Sequence, residues 1–381
     1  MTAQTPVKLI FDLLNTQPQC GSKRHGGGIY GEIIFFRMIE RGIHFACFYD
    51  SRIWLNPKVE EACRTHHIAL YDVKGTTVEK IVKANGFTRL YSCLPGAMAS
   101  LTCCEVYGTV HGLRDFETPF DSIFYRYPSS MMQKVKFTVQ RILKDYVHAL
   151  RHRRYLKRYI NGKFHFITVS EHSRYGFLSY FPEMKEDRLK VFYSPNTSSS
   201  VPAKKIPGID KYFLLVSGNR WEKNNLRAIM AFDRLLTAGR INGVKMKITG
   251  ITSSAFKYKI QNPDAIELLG YVDDDELDSL YANAFAFVYP SLNEGFGYPP
   301  IEAMRYGVPV IASPVTSMAE ICGGGALYFD PYSVEEIMNR MLMISAPDTH
   351  AEYSRKALDQ YARIRARQDR DLDALIDYIT E

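Results

Sequence analysis

The stretch Ala284–Ser313, AFAFVYPSLNEGFGYPPIEAMRYGVPVIAS, contains two apolar strand patterns separated by a glycine-rich turn and a short helical pattern. The first strand ends at Pro290, and the second begins at Val308. The Pro299–Pro300 pair suits the first turn of a helix, where a missing backbone N–H costs nothing. This succession of buried strand, turn, helix and buried strand is typical of a parallel sheet covered by helices on both faces.

The turn in this stretch has the chemistry of an anion site. The segment Gly295, Phe296 and Gly297 offers backbone N–H groups, and the helix start behind it is the positive end of a dipole. Glu294 precedes the turn, and Glu302 falls in the predicted first helical turn. Carboxylates accept directional hydrogen bonds from hydroxyls, so the two acids predict a site for a sugar or ribose. A capping or salt-bridging role for one or both acids is the alternative.

Similar strand patterns recur along all 381 residues and predict two doubly wound α/β, Rossmann-like domains facing a central cleft. The window Thr197–Asp210 holds three serines, two prolines and a glycine, and it predicts a linker at 201–210 between them. We expect an N-terminal domain at 1–200, a C-terminal domain at 211–360, and a helix at 361–381 that could pack across both. The predicted strands are Val7–Leu14, His44–Tyr49, Ile68–Tyr71, Arg89–Leu94, Glu105–Val110, Phe164–Ser170, Leu189–Tyr193, Phe213–Ser217, Lys245–Thr249, Ala265–Leu269, Ala284–Tyr289, Pro309–Ala312 and Ala326–Phe329.

A second cluster of candidate residues follows the first strand of the C-terminal half. The chain turns at Gly218, and Arg220 and Lys223 precede the next helix. Two cations at a strand-to-helix turn suit a diphosphate, which is charged both as substrate and as leaving group. Two solvated surface cations are the alternative interpretation.

Two further candidates lie in the N-terminal half. Gly27 and Gly28 belong to a glycine cluster after the first strand, with a helix predicted to start near Ile29, and they permit close approach of a ligand. His111 follows a strand at the expected cleft edge. A flexible loop and a structural histidine are the respective alternatives.

The spacing of Glu294 and Glu302 and the sequence around them resemble the paired-glutamate motif of retaining glycosyltransferases of family 4, which have the GT-B fold. The resemblance implies that Glu294 holds the donor sugar, that Glu302 binds the nucleotide ribose, and that amides of the turn face the sugar and diphosphate. It also implies phosphate binding by Lys223 and Arg220.

In the N-terminal half the resemblance is looser. It implies that the loop with Gly27 and Gly28 approaches the donor phosphates or the acceptor, and that His111 bonds the donor sugar. Family members often have His-Asp at this point, whereas this chain has Gly112 next and its nearest acid at Asp115. No role for that acid is therefore implied.

The net charge of +7 is concentrated in one segment. The segment Lys134–Ile160 carries nine Lys or Arg and one acid, so the rest of the chain is close to neutral. A helix is predicted there, with Val139, Leu143 and Tyr146 on one face. Such a helix could bind an anionic membrane surface or an anionic acceptor, or could simply present a solvated face. Its aromatic spacing does not form a base-stacking platform, which argues against a nucleic acid partner.

No cofactor or metal is predicted, because no Asp-x-Asp pattern sits at a strand end. Asp273 begins an acidic run that suits a loop and helix cap, and Ser170 suits a helix cap as well. The seven scattered cysteines indicate reduced thiols, and the start of the chain indicates a buried strand, not a signal peptide. We therefore expect a cytoplasmic protein that could be peripheral on the inner face of the membrane.

Together these features predict a metal-independent transferase, and the resemblance implies that it retains the anomeric configuration. It would move a hexosyl or deoxyhexosyl group from a nucleotide-diphosphate sugar to a glycan or lipid-linked acceptor. Two alternatives remain compatible with the residues. One is an epimerase or phosphorylase of similar architecture, and the other is a catalytically silent protein that binds sugar nucleotides.

Overall fold

The computed structural model describes residues 8–18, 25–160, 163–197, 202–206, 208, 211–252, 256 and 258–381. The chain forms two compact units. The first consists of Met1–Gly112, Ala149–Thr197 and Arg367–Glu381, and the second of Leu113–His148 and Ser198–Ala366. The predicted linker at 201–210 lies partly outside the described residues. Gly21–Arg24, the first part of the glycine-rich loop, lie entirely outside them.

The first unit is built on a seven-stranded sheet in the order β3-β2-β1-β4-β5-β6-β7, with every neighbouring pair parallel. Strand order reverses between β1 and β4, which makes this a doubly wound sheet. Its strands are β1 (Leu9–Asp12), β2 (Ala46–Tyr49), β3 (Leu70–Asp72), β4 (Arg89–Ser92), β5 (Glu105–Val110), β6 (Phe164–Thr168) and β7 (Leu189–Val191).

The second unit repeats the pattern with a six-stranded parallel sheet in the order β10-β9-β8-β11-β12-β13. The reversal of strand order falls here between β8 and β11. Its strands are β8 (Lys211–Leu215), β9 (Val244–Thr249), β10 (Ile266–Gly270), β11 (Ala286–Tyr289), β12 (Val310–Ala312) and β13 (Ala326–Tyr328). Its core includes Phe213, Ile229, Met246, Val288 and Ile311, all fully buried.

Helices connect the strands and cover the sheets. They are α1 (Gly26–Glu40), α2 (Pro57–Thr65), α3 (Val78–Asn85), α4 (Arg114–Glu117), α5 (Met131–Ile142), α6 (Lys144–Tyr159), α7 (Glu171–Tyr180), α8 (Asn225–Thr237), α9 (Asp274–Asn283), α10 (Tyr298–Arg305), α11 (Met318–Cys322), α12 (Val334–Ser345) and α13 (Pro347–Thr380). Among the described residues, no helix is both long and apolar enough to cross a membrane.

The predicted fold class is confirmed, and each of the thirteen predicted strands overlaps an observed one. Two helix starts differ from the prediction. Helix α1 begins at Gly26, not near Ile29, because His25 already caps its first turn. Helix α10 begins at Tyr298, so Glu302 is its fifth residue and lies in the second turn, not the first.

Residues Leu113–His148 pack with the second unit, although the sequence-based boundary assigned all of residues 1–200 to the N-terminal domain. Aromatic packing explains the difference. The ring of Phe124 lies 5.7 Å from that of Trp221, and the ring of Phe137 lies 5.6 Å from the same indole. The Tyr127 hydroxyl accepts a hydrogen bond from the backbone N–H of Leu226 at 3.0 Å, at the start of α8.

The basic segment forms two helices, α5 and α6, where the sequence predicted one. The break falls at Leu143, which has φ −98° and ψ 29°. Separate aromatic contacts hold each helix. Phe137 of α5 stacks on Phe124 at 4.1 Å, while His148 of α6 meets the ring edge of Phe116 at 6.0 Å.

The chain ends in the 34-residue helix α13. Its last part, Arg367–Glu381, belongs to the first unit. There the Gln368 amide donates to the Ser194 carbonyl at 2.7 Å, and Asp371 accepts from the backbone N–H of Tyr193 at 3.0 Å.

Candidate functional site

The strongest candidate residues of the second unit lie where its strand order reverses. Lys223 follows β8 and Glu294 follows β11, and these two strands are paired and parallel. Loops that leave the carboxyl ends of adjacent strands at such a reversal form a crevice, which is where doubly wound sheets bind ligands. The topology therefore brings together two residues that are 71 positions apart in the chain.

Lys223 and Glu294 form a buried ion pair with a bridging tyrosine. The Lys223 Nζ lies 2.6 Å from the Glu294 Oε1, and the side chains are only 8% and 11% exposed. Lys223 also donates to the Tyr289 hydroxyl at 2.5 Å, and that hydroxyl donates to the same Oε1 at 2.7 Å. Ser291 adds a third donor to Oε1 at 2.5 Å. Among the described residues no group donates to Oε2, which keeps its capacity to accept from a ligand hydroxyl.

Burial and charge shape the ionisation of this group. Burial would raise the pKa of Glu294, but the Lys223 ammonium and the three hydrogen bonds outweigh it and hold that pKa below its ordinary value. Burial lowers the pKa of Lys223, and the nearby Arg220 and Arg114 charges add to this while Glu294 opposes it. Burial raises the pKa of Tyr289 far above its usual range, so it stays a neutral donor.

Backbone strain surrounds the pair. Three non-glycine residues in the loops after β8 and β12 have positive φ: Ser217 (56°), Asn224 (57°) and Thr316 (52°). Asn224 is fully buried, and its side-chain amide donates to the carbonyls of Pro290 at 3.1 Å and Pro331 at 2.8 Å. The Thr316 hydroxyl accepts from the backbone N–H of Glu294 at 2.9 Å. Such conformations cost about 1–3 kcal/mol each and persist where the surroundings fix them, as they do at many functional sites.

Met318 and Ser317 pack against the turn before α10 and fix its backbone. Gly297 is the residue before the helix, with φ 112°, and a Cβ there would come within 2.8 Å of the Met318 sulfur. The Ser317 hydroxyl donates to the carbonyls of Glu294 at 3.0 Å and Phe296 at 2.9 Å, and the Phe296 side chain is buried. Gly295 continues the same turn. These contacts fix the backbone that leads into the positive end of α10.

Glu302 and Arg220 flank this centre. Glu302 is half-buried, and its charge raises the pKa of the buried Tyr281 phenol, although less than burial does. Arg220 is half-buried directly before the short 3₁₀ helix that carries Lys223. Its guanidinium makes no hydrogen bond or ion pair to the described residues. Gly218 lacks room for a side chain, because a Cβ would lie 2.7 Å from Ile251.

The candidates of the first unit lie at the start of α1 and at the end of β5. His25 caps α1, and its Nδ1 accepts from the backbone N–H of Gly28 at 3.2 Å. A Cβ on Gly27 would lie 2.6 Å from Leu94, and one on Gly28 would lie 3.2 Å from the His25 ring. A side chain at either glycine would therefore be crowded within the first helical turn. An approach of the donor or acceptor to them stays a prediction.

His111 is neutral at physiological pH. Burial lowers its pKa to about 4, and its Nε2 lies 2.9 Å from the Cys93 carbonyl oxygen. A carbonyl only accepts, so Nε2 carries the proton and Nδ1 is left as an acceptor. The ring also packs edge-on against Tyr30 at 4.7 Å. Such a histidine can accept a hydrogen bond from a sugar hydroxyl.

Two predicted caps are confirmed. The Ser170 hydroxyl accepts from the N–H of Ser173, and the Asp273 carboxylate accepts from the N–H of Glu276 at the start of α9. Sequence reasoning missed Tyr289 and Thr316. A tyrosine at the end of an apolar strand predicts core packing, and a threonine offers no signal for positive φ.

Comparison with known proteins finds a family match over the part of the chain that contains Lys223 and Glu294. Residues 198–365 match the family model for glycosyl transferases group 1. The O-antigen chain mannosyltransferase B of Escherichia coli is 33% identical over 201 residues, which is 49% of this chain and 52% of that protein. The O-antigen chain mannosyltransferase RfbU of Salmonella typhimurium is 29% identical over 231 residues, which is 58% of this chain and 56% of that protein. The chain thus spans about half the length of these curated relatives.

Solved structures resemble the whole chain in fold. A glycosyltransferase from Rickettsia africae superposes with a TM-score of 0.64 at 14% identity, covering 98% of this chain and 99% of the other. Anabaena HepE in complex with UDP-glucose gives a TM-score of 0.62 at 16% identity, covering 97% of each chain. At this identity the likeness shows the fold alone, which is the two-domain GT-B fold.

Proposed function

We propose that the chain is a glycosyltransferase that moves a hexosyl or deoxyhexosyl group from a nucleotide-diphosphate sugar to a glycan or lipid-linked acceptor. One observation carries the proposal: Glu294 is fixed by three donors to one oxygen, beside a buried cation and a helix start, and its second oxygen accepts from no described residue. The similarity to O-antigen mannosyltransferases makes surface polysaccharide assembly the proposed setting and a mannosyl group the first donor to test.

In this proposal each group has a defined role toward the donor. Glu294 Oε2 accepts from a sugar hydroxyl, and Glu302 accepts from the ribose. Lys223, two of whose three Nζ protons go to described residues, and Arg220 contact the diphosphate. The turn formed by Gly295, Phe296 and Gly297 faces the same diphosphate at the positive end of α10. Cations and amides placed where charge develops on a leaving group lower the barrier for its departure.

The proposed reaction retains the anomeric configuration and requires no divalent metal. The bond between the anomeric carbon and the diphosphate oxygen breaks, and the nucleoside diphosphate leaves with the electron pair. The acceptor hydroxyl oxygen bonds to the same face of the sugar, and its proton passes to the departing phosphate oxygen. Lys223 and Arg220 supply the positive charge that a metal supplies in other transferases.

The first unit is proposed to bind the acceptor. The neutral His111 would accept from the donor sugar through Nδ1, and Gly27 and Gly28 would line the approach of the acceptor or the phosphates. A role on the cytoplasmic side of a membrane fits a lipid-linked acceptor.

A thermal-shift screen against nucleotide sugars, including GDP-mannose and UDP-glucose, tests donor binding. A ligand at about 100 times its dissociation constant stabilises the folded state by about 2.7 kcal/mol. Glu302→Ala should abolish most of the shift, while the matched surface change Glu335→Ala should not. An equal shift in the parent and in Glu302→Ala would refute the ribose assignment.

Transfer itself needs a second experiment. With an acceptor present, release of nucleoside diphosphate should accompany formation of a new glycosidic bond, whose configuration nuclear magnetic resonance reports. We expect retention, and we expect the rate to survive treatment with a chelator. Donor binding without any turnover would favour the catalytically silent alternative.

A further inference from the structure

Helix α5 exposes an unusual concentration of apolar side chains. We call five of them the α5 strip, and they are between 47% and 82% exposed. Leu143 and Tyr146 continue the exposed surface just beyond the helix. A solvent-facing patch of this kind usually marks a site of interaction. The α5 strip consists of Met131, Met132, Val135, Val139 and Ile142.

The strip covers one side of the helix and is bordered by cations. At 3.6 residues per turn its five members fall within an arc of about 100°. Lys136 lies beyond one edge of this arc, and Lys134 and Arg141 lie beyond the other. An apolar arc flanked by Lys and Arg is typical of helices that lie in the plane of a membrane interface.

The other side of α5 is anchored, so the helix cannot turn to bury the strip. Phe137 is buried, stacks on Phe124 at 4.1 Å, and packs against Trp221 at 5.6 Å. A capping box fixes the helix start, because the Ser130 hydroxyl accepts from the N–H of Gln133 while the Gln133 side chain bonds back to Ser130. The exposure of the strip is therefore built into the second unit.

We propose that α5 binds an anionic lipid bilayer, with the α5 strip inserted among the lipids and Lys134, Lys136 and Arg141 at the headgroups. The charges favour this occupant over a second copy of the chain. A twofold contact through the strip would bring the same cations of two copies together, and this repulsion opposes association. The twelve residues of α5 are about 18 Å long, so the helix lies in the interface and does not span the bilayer.

Sedimentation with vesicles tests the proposal without any sugar nucleotide, so its outcome is independent of the proposed transferase activity. The parent protein should bind vesicles of mixed phosphatidylglycerol and phosphatidylcholine and should be released by high salt. Vesicles of phosphatidylcholine alone should bind it at least tenfold more weakly. Equal binding to both vesicle types, or binding unaffected by salt, would overturn the proposal.

Two triple variants separate the apolar and the charged contributions. Changing the three cations to Gln should weaken binding to anionic vesicles by roughly a hundredfold. The combination Met132→Gln, Val135→Gln and Ile142→Gln should weaken it at least tenfold. Both sets lie on the surface, and the thermal midpoint should confirm that each variant is folded. Binding at the parent level by either folded variant would contradict the proposal.

A control variant changes three exposed apolar groups elsewhere on the surface. Tyr271→Gln, Leu342→Gln and Met343→Gln replace exposed apolar side chains outside α5, and both this triple variant and the parent should bind vesicles equally. Analytical ultracentrifugation tests the competing possibility that a second copy of the chain covers the α5 strip. If the strip variant changes the oligomeric state while vesicle binding persists, the surface joins copies of the chain and the bilayer proposal fails.

Discussion

Removing the Lys223 charge should destabilise the second unit more than removing the charges of both partners. Loss of one partner from a buried ion pair costs about 3–5 kcal/mol, because the other charge is left without compensation. With Lys223 8% and Glu294 11% exposed, we expect the lower end, about 3 kcal/mol, for Lys223→Met. For a unit of roughly 200 residues this lowers the melting temperature by about 6–12 °C.

The double variant with Glu294→Gln should recover at least half of that loss. The Gln carbonyl can still accept from Tyr289 and Ser291, and no buried charge remains. Trp221 next to Lys223 reports the unfolding of this unit. A Trp54→Phe background makes it the only tryptophan of the chain.

The pH dependence gives a second, independent check. In the parent the pKa of Glu294 is lowered, so its contribution to stability is present above its ordinary pKa and is lost as the pH falls through the folded value. In Lys223→Met the ammonium is gone and burial raises the pKa of Glu294. Protonation of Glu294 then removes the uncompensated buried charge, so the variant regains stability as the pH falls. The gap between variant and parent should therefore shrink from pH 8 to pH 5. A single variant that melts within about 2 °C of the parent, or a gap that widens in acid, would refute the reasoning.

Three further outcomes follow from the geometry. Tyr289→Phe removes one of three donors to Glu294 and should lower stability by about 1–2 kcal/mol and weaken donor binding measured by calorimetry. Gly297→Ala should destabilise the fold by about 1–3 kcal/mol, because its φ of 112° is unfavourable for alanine. Adding Met318→Ala to that variant should remove the clash of the new Cβ with the Met318 sulfur but not the cost of the φ angle, and melting curves would show this partial recovery. Burial raises the pKa of Asp12 to about 6 and lowers that of His111 to about 4. As the pH falls from 6 to 4, the folded chain gains a proton at Asp12, which raises the free energy of unfolding. Over the same range the unfolded chain gains a proton at His111, which lowers the free energy of unfolding. Each effect amounts to about 1.4 kcal/mol per pH unit, so in the parent the two offset. Asp12→Asn should then melt at lower temperature as the pH falls, and His111→Gln at higher temperature, whereas parallel profiles would contradict both assignments.

The strands were predictable because buried parallel strands are short apolar runs, which the sequence displays directly. The assignment of Leu113–His148 to the second unit was not. It depends on Phe124 and Phe137 meeting Trp221, and the sequence does not show which aromatic rings meet across about 100 residues. The break at Leu143 was missed for a related reason, because no proline or glycine marks it.

Parts of the candidate site were predictable from charge and turn chemistry. Glu294 and Lys223 stand in strand-to-helix turns, and a doubly wound topology brings such turns together when their strands pair at the reversal of order. A salt bridge was only the alternative interpretation for Glu294, and no partner was named for it, so its direct pairing with Lys223 was not predicted. The pairing matters for the proposed function, because a lysine already held by Glu294 and Tyr289 would need little rearrangement to meet a diphosphate.

The backbone around the pair suggests why the sequence could not reveal the full arrangement. Ser217, Asn224 and Thr316 adopt positive φ, and only the asparagine belongs to a residue type that tolerates it readily. The strain at Thr316 places its hydroxyl under the Glu294 amide, and the strain at Asn224 ties the Lys223 loop to β11 through the Pro290 carbonyl. The fold therefore uses conformational energy to hold the acid and the cation in place before a ligand arrives. Local sequence preference argues against these conformations, so they become visible only once the tertiary contacts that impose them are known.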